Sequence, residues 1–351
     1  MRTAIIYSQK YLEHKTGNGH PERPQRLTAI MRGIEVSRLL KDGKCMLVEP
    51  KSISLEDLLM IHTPEHVERV RSICKSGGGI LDDETPVSKE SFDVAMLAAG
   101  GAIRAVQGVM SKEFDNAFAL VRPPGHHAGP NFSLGFCIFN NVALAAKYLN
   151  EKMGLRRILI FDIDAHHGNG TQDIFYDVSD VLFISIHEDP TEFPRTGFIG
   201  EVGVDEGLGY TVNIPLPYGS GDPAYLMALK NIVLPIISQY KPQFMLISAG
   251  FDGYYRDAVA DLSLSAYMYP KIFHILLDLA QKLCDGRLVA VLEGGYNLSF
   301  LRKAVPACVA KLAGAYFRVK DRRPPINLKS QKEAEKIIEI VRRVQSRYWS
   351  L

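Results

Sequence analysis

Four stretches of the chain share one design, a short apolar run that stops at ionisable or glycine-rich residues. "NAFALVR" runs into "PPGHH", "RILIFDID" into "AHHGNG", "FMLISAG" into "FDG" and "LVAVLE" into "GGYN". With "TAIIYS", "DVLFISIH" and "YTVNIPL" they are mostly continuous in apolar character, so as strands they need cover on both faces. Helical periodicity falls between several of them, over 90–110, 139–152, 222–239 and 265–284. This alternation predicts an α/β fold: an open, mostly parallel central sheet with helices on both faces. Ligands of such sheets lie beyond the carboxyl ends of the strands. All four runs would deliver their polar residues to that one edge.

The 351 residues are 46% hydrophobic and 23% charged, enough for a large core. A formal net charge of +2, with Lys and Arg scattered along the chain, gives no surface suited to tracking a polyanion, so nucleic acid is not the expected ligand. No uninterrupted apolar run approaches the roughly 18 residues that span a bilayer, and the expectation is a cytoplasmic protein without a membrane partner. The five cysteines are widely spaced and form no CxxC, which predicts reduced, mostly buried thiols. One catalytic domain is expected over 1–315. Residues 316–351 read as a charged Pro-Pro connector and a C-terminal helix docked on the same domain through Ile337, Ile338, Ile340 and Val341.

"FDIDAHHGNG" gathers Asp162, Asp164, His166 and His167 within six positions. If the strand continues through it, Asp162, Asp164 and His166 share one face. Such a cluster is expensive to bury, and a cation relieves it. Asp164 and His166, with Asp252 from "LISAGFD", form a three-ligand set of the kind catalytic zinc takes, with one position open. A buried, hydrogen-bonded polar cluster is the other reading. His126 and His127 follow a stiff Pro-Pro-Gly turn and suit acid–base work near neutral pH, with Asp162 and Asn169 as partners able to orient the rings; structural histidines are the alternative. In "LEGGYN", Gly294 and Gly295 allow close backbone approach, and Tyr296 either donates a hydrogen bond to an oxyanion or only packs. Phe136 and Phe193 are either core or the walls of a narrow channel.

In order along the chain, "HPERPQRL", "RPPGHHA", "GFCIFNN", "FDIDAHHGNGTQ", "ISIH", "SAGFD" and "EGGYN" resemble the zinc-dependent histone deacetylase superfamily. That superfamily includes acetoin-utilisation proteins and acetylpolyamine amidohydrolases. The resemblance, over about residues 7–310, implies an arginase/deacetylase-like fold and hydrolysis of an acetylated amine, with zinc on Asp164, His166 and Asp252. It implies His127 as general base and then acid, His126 as electrostatic helper and Tyr296 as the donor that polarises the carbonyl. Phe136 and Phe193 would line the acyl-lysine channel, the Gly135 carbonyl would accept from the scissile amide, and Gly294 would border the substrate. Arg26 would sit at an inner product channel. Asp162 and Ser185 would hold a structural potassium ion. Glu84 is a candidate rim acceptor for the substrate backbone. Val259 occupies the rim position where a polyamine-selective branch carries an acidic residue.

The expected activity is removal of acetyl groups from lysine ε-amines in proteins, with acetylpolyamine or another acylated small amine as the alternative substrate and a catalytically inactive acyl-lysine reader as a remote one. Three features depart from the common pattern. Asn169 stands where some members carry Asp, Glu293 precedes the glycine pair as in bacterial and class II-like branches, and Asp257–Val259 replaces an Asp-Pro-apolar turn. A binuclear manganese ureohydrolase of arginase type needs more bridging carboxylates than His167, Gly168 and Asn169 offer.

Overall fold

The computed structural model describes residues 2–351. Its strands are β1 (Thr3–Ile6), β2 (Cys45–Val48), β3 (Gly78–Ile80), β4 (Pro86–Ser88), β5 (Asn116–Ala119), β6 (Ile158–Asp162), β7 (Val181–Glu188), β8 (Thr211–Leu216), β9 (Phe244–Ala249) and β10 (Leu288–Leu292). A short antiparallel hairpin joins β3 to β4. The other eight strands make one parallel sheet in the order β2-β1-β5-β10-β9-β6-β7-β8. Late in the chain, β9 and β10 return to fill the gap between β5 and β6. The four strands that carry the polar motifs are thereby neighbours, β5-β10-β9-β6, and their carboxyl ends share one edge.

Every residue of these four strands is buried, as cover on both faces requires. The helices Ser91–Met110 and Asn141–Glu151 pack together, as do Gln25–Ser37, Leu298–Leu312 and Met268–Cys284. Ser91–Met110 is long and apolar enough to cross a membrane, but Val94, Ala98, Ala102 and Val106 pack into the core.

Several local expectations need correction. The apolar run 222–239 is not one uniform helix: a π-helical stretch, Leu229–Val233, joins Asp222–Ala228 to Leu234–Tyr240 just before Pro235. Pro235 has no N–H to offer the i−4 ladder, and the wider turn accommodates it. β2 adds an edge strand to the seven apolar runs; it is only four residues long, and Met46 and Leu47 are exposed. The C-terminal helix Leu328–Gln345 lies along β8 and buries Ala334, Ile338 and Val341, whereas Ile340 is 46% exposed. The i, i+4, i+7 spacing of the buried positions turns Ile340 off the docked face.

Candidate active site and metal centre

β6 stops at Asp162, so the face-sharing of Asp164 and His166 does not come from strand pleat. Two successive side-chain turns replace it. Asp162 Oδ1 accepts the Asp164 N–H at 3.0 Å, and Asp164 Oδ1 accepts the His166 N–H at 3.0 Å. An aspartate that binds the backbone two residues on folds each step back toward itself. The D-x-D-x-H spacing is the sequence trace of this geometry. Across the edge, Asp252 Oδ1 accepts the Ala165 N–H at 2.9 Å, which locks the end of β9 to the same segment.

Asp164, His166 and Asp252 bring one ligand atom each to within 4.8 Å of one another. His166 Nδ1 lies 3.1 Å from Asp252 Oδ2 and 3.4 Å from Asp164 Oδ1, and both carboxylates are buried. Burial and the adjacent Asp164 carboxylate push the Asp252 carboxyl upward, a cost that a cation held between the two would remove. The glycine after Glu293 keeps this space open: a Cβ on Gly294 would lie 2.6 Å from an oxygen of each aspartate. The donor set, two carboxylates and an imidazole with room beside them, fits a divalent ion such as zinc. A second group with metal-ligand side chains, His126, Cys137 and Glu293, shares no residue with the first. The bridging carboxylates of a binuclear centre are therefore not assembled among the described residues.

The tandem histidines follow β5. His126 Nδ1–H donates to Asp162 Oδ2 at 2.9 Å, and His127 Nδ1–H donates to Asn169 Oδ1 at 2.8 Å, as the expected orienting partners require. Burial opposes charge on His126, but Asp162 and Asp164 outweigh it and raise its pKa to about 10. Burial and then the charge on His126 push His127 well below the usual histidine range. One ring is thus a buried imidazolium and the next a neutral base whose Nε2 is free.

Tyr296 follows β10 with its ring edge-on to Phe136 at 5.7 Å and the Arg26 guanidinium 4.9 Å from the ring centroid. Burial raises its phenol well above the ordinary value, Arg26 opposes, and Asp252 and Asp164 add to the rise. It stays a protonated donor. Arg26 is fully buried; its Nε donates to Gly295 O at 2.6 Å and its Nη2 to Glu293 O, so it fixes the backbone before Tyr296.

Gly135 has φ +54°, and a Cβ there would lie 2.6 Å from the His127 ring and 2.9 Å from Phe193. Only glycine brings backbone that close to both. Phe193 stands edge-on to His127 at 5.0 Å and to His166 at 5.7 Å, while Phe136 faces Tyr296, so the two rings border the cluster from different loops. Glu84 is exposed and meets His20 through its carbonyl; its neighbours do the holding, Asp82 accepting Gly135 N–H at 3.2 Å and Thr85 accepting Phe136 N–H at 2.9 Å. Val259 is half-buried in the loop after Asp252. Ser185 pairs in register with Asp162 and bonds His187 Nδ1 at 2.8 Å; because His187 Nε2–H donates to Gly197 O, the serine is the donor and keeps its lone pairs.

The chain matches the family model described as histone deacetylase domain over residues 20–312. The chain belongs to the histone deacetylase family. It is 44% identical to a probable deacetylase of Archaeoglobus fulgidus, over 99% of both chains. It is 36% identical to a histone deacetylase-like amidohydrolase of Pseudomonas aeruginosa, over 91% of this chain and 88% of that one. The crystal structure of the HDA15 HD domain superposes with a TM-score of 0.88 at 34% identity, covering 99% of this chain and 95% of the other. This histone deacetylase-family chain is thus a deacetylase or amidohydrolase by kinship.

Several residues that build the deacetylase site escape a sequence reading. Glu293 Oε2 accepts the N–H groups of Gly125 and His126 at 2.7 and 3.1 Å, tying the end of β10 to the histidine loop. Asp257, in the turn that departs from the Asp-Pro-apolar pattern, accepts Tyr296 N–H at 2.7 Å and Asn297 N–H at 2.8 Å through Oδ2. Glu22 is buried between Arg26 and Arg122, at 3.2 and 2.6 Å. The available signal was the presence of charged residues inside "HPERPQRL" and "RPPGHHA", the motifs that contain Glu22, Arg26 and Arg122.

Proposed function

We propose that the chain is a zinc-dependent hydrolase that removes acetyl groups from the ε-amine of lysine in proteins or peptides and releases acetate. The observation that carries the reading is the convergence of Asp164, His166 and Asp252 beside one neutral and one charged histidine. A bound zinc would supply Lewis acidity toward the acetyl carbonyl and make water a nucleophile at neutral pH. His127 takes the proton of the attacking water on Nε2 while Asn169 holds its Nδ1–H. Tyr296 O–H donates to the oxyanion as the carbonyl becomes tetrahedral, and the fixed charge of His126 favours the same charge build-up. The Gly135 carbonyl accepts the scissile N–H and orients it. His127 then returns its proton to the leaving nitrogen, the C–N bond breaks, and acetate and free amine remain. The reading includes acetate leaving past Arg26 and a structural potassium ion beside Asp162 and Ser185.

A second reading, an acetylated polyamine as substrate, draws support from a group of carboxylates on the segments around Phe193 and Asp261. After burial, Glu188, Asp189, Glu192 and Asp261 all raise the phenol of Tyr218, whose hydroxyl donates to the Asp189 carbonyl at 3.1 Å, and Glu192 directly precedes Phe193 in the chain. Carboxylates there would attract a distal ammonium. The apolar Val259 favours peptide lysine instead. The deciding experiment is turnover by the zinc-loaded protein on acetyl-lysine peptides beside acetylputrescine and acetylspermidine. Preference for the peptides supports the first reading, preference for an acetylated polyamine the second, and turnover of none of them removes both.

A further inference from the structure

One carboxylate of the group around Tyr218 also lies against the metal cluster. Glu188, the last residue of β7, is 7% exposed. Its Oε1 lies 3.7 Å from His166 Nε2, whereas Asp252 and Asp164 sit at His166 Nδ1. The two nitrogens of one ring therefore face different carboxylates. At 3.7 Å the contact is an ion-pair rather than a hydrogen-bond separation, so Glu188 acts on the ring through its charge.

Glu188 is itself fixed at both ends. Its backbone N–H donates to Ala165 O at 2.8 Å, next to His166, and its Oε2 accepts Asp261 N–H at 2.7 Å. The Asp261 carbonyl takes Gly219 N–H at 2.7 Å, and the neighbouring Tyr218 carbonyl takes the Ser330 hydroxyl at 2.7 Å. A run of hydrogen bonds thus leads from the C-terminal helix, beyond the residues that match the family model, to the carboxylate behind His166.

We propose that Glu188 is a positioning residue for His166. Its charge keeps the ring proton on Nε2, which leaves the Nδ1 lone pair to face the metal and strengthens it as a ligand. Outer carboxylates that accept the second ring N–H of a histidine ligand typically contribute about 10- to 100-fold to metal affinity; Glu188 exerts the same pull from 3.7 Å through its charge. The inference rests on the zinc reading.

The test is zinc affinity by chelator competition on the full-length parent, Glu188→Gln and Glu188→Ala, with the melting temperature of each metal-free protein and the visible spectrum of each cobalt-loaded one. Gln retains an oxygen for Asp261 N–H and removes the charge, so it decides alone if the alanine variant does not fold. The expected result is one zinc per parent chain, an affinity about 10- to 100-fold weaker in Glu188→Gln, a shifted cobalt spectrum and an unchanged metal-free melt. Parent-like zinc affinity in Glu188→Gln overturns the inference and leaves the zinc reading standing. A lowered metal-free melt with unchanged affinity assigns Glu188 only to tethering Asp261, and overturns it too. A parent that binds no zinc removes the zinc reading and the inference together.

Discussion

His126 and His127 stand with ring centroids 3.9 Å apart, yet one is bonded to a buried carboxylate and the other to a neutral amide. The difference sorts them into a cation at neutral pH and a proton acceptor, because burial and then the charge on His126 disfavour a second charge on His127. Replacing the amide should undo this. In Asn169→Asp a carboxylate faces His127 Nδ1–H and stabilises its imidazolium, so the pKa of His127 rises. The base must be neutral to work, so the acid limb of kcat/KM should move to higher pH, by about one to three units for an opposite charge in contact. A pH–rate profile of the two proteins decides it, and an unmoved acid limb would mean that His127 is not the base.

Tyr296→Phe keeps the ring that packs on Phe136 and removes only the hydroxyl. If the hydroxyl meets mainly the transition state, kcat should fall by roughly 10²–10³, about 2.7–4 kcal/mol, with little change in KM. Steady-state kinetics at saturating zinc gives both constants, and near-parental kcat would reduce Tyr296 to packing.

Asp164→Ala, His166→Ala and Asp252→Ala should each lose stoichiometric zinc, because three protein ligands leave little redundancy. Elemental analysis after gel filtration is the measurement, and full occupancy in any one variant takes that residue out of the ligand set. A hydroxamate should inhibit the zinc-loaded parent, since chelation needs the open position that a three-ligand site provides.

The parts of the site legible in the sequence are those written locally. The Asp162–Asp164–His166 spacing encodes two side-chain turns, and the apolar runs encode strands whose ends meet because the sheet is parallel. The parallel sheet and its enclosure could be read from uninterrupted apolar character, whereas edge strand β2 is an apolar run of only four residues set between Lys44 and Glu49. Contacts that depend on strand order could not be read. Glu293 reaches a loop 167 residues away because β10 inserts beside β5, and Glu22 meets Arg122 across 100 residues. For Glu188 the sequence showed an acid after "ISIH" but not that the Asp261 loop would turn it toward His166.

The Glu22 cluster yields a prediction about stability rather than chemistry. Burial alone would raise the Glu22 carboxyl, but Arg122, Arg26 and His14 outweigh it and bring the pKa down to about 2. A folded pKa below the unfolded one, 4.5, stabilises the fold above pH 4.5 and stops doing so as pH falls through about 2. Glu22→Gln leaves two buried guanidinium groups without their shared carboxylate, which should cost about 3–5 kcal/mol at neutral pH. The variant should also lose the part of the acid-melting curve between those two pH values. Denaturant unfolding of both proteins at pH 7 and pH 3 measures this, and equal stabilities at pH 7 would show that the arginines find other partners.

Val259 lies in the loop that begins at Asp252, and its N–H donates to Asp257 Oδ1 at 3.3 Å, so its position is tied to the residue that also holds the Tyr296 backbone. An apolar side chain there offers nothing to a second ammonium, whereas a carboxylate would attract one over a Debye length of about 10 Å at 0.1 M salt. Val259→Glu should therefore raise kcat/KM for acetylspermidine relative to an acetyl-lysine peptide, and the gain should shrink as salt is added. Both substrates should be assayed at low and moderate ionic strength on the zinc-loaded parent and variant. If the parent already prefers acetylspermidine and the substitution leaves the ratio unchanged, the carboxylates around Tyr218 set the preference instead of Val259, and the assignment to protein lysine falls with it.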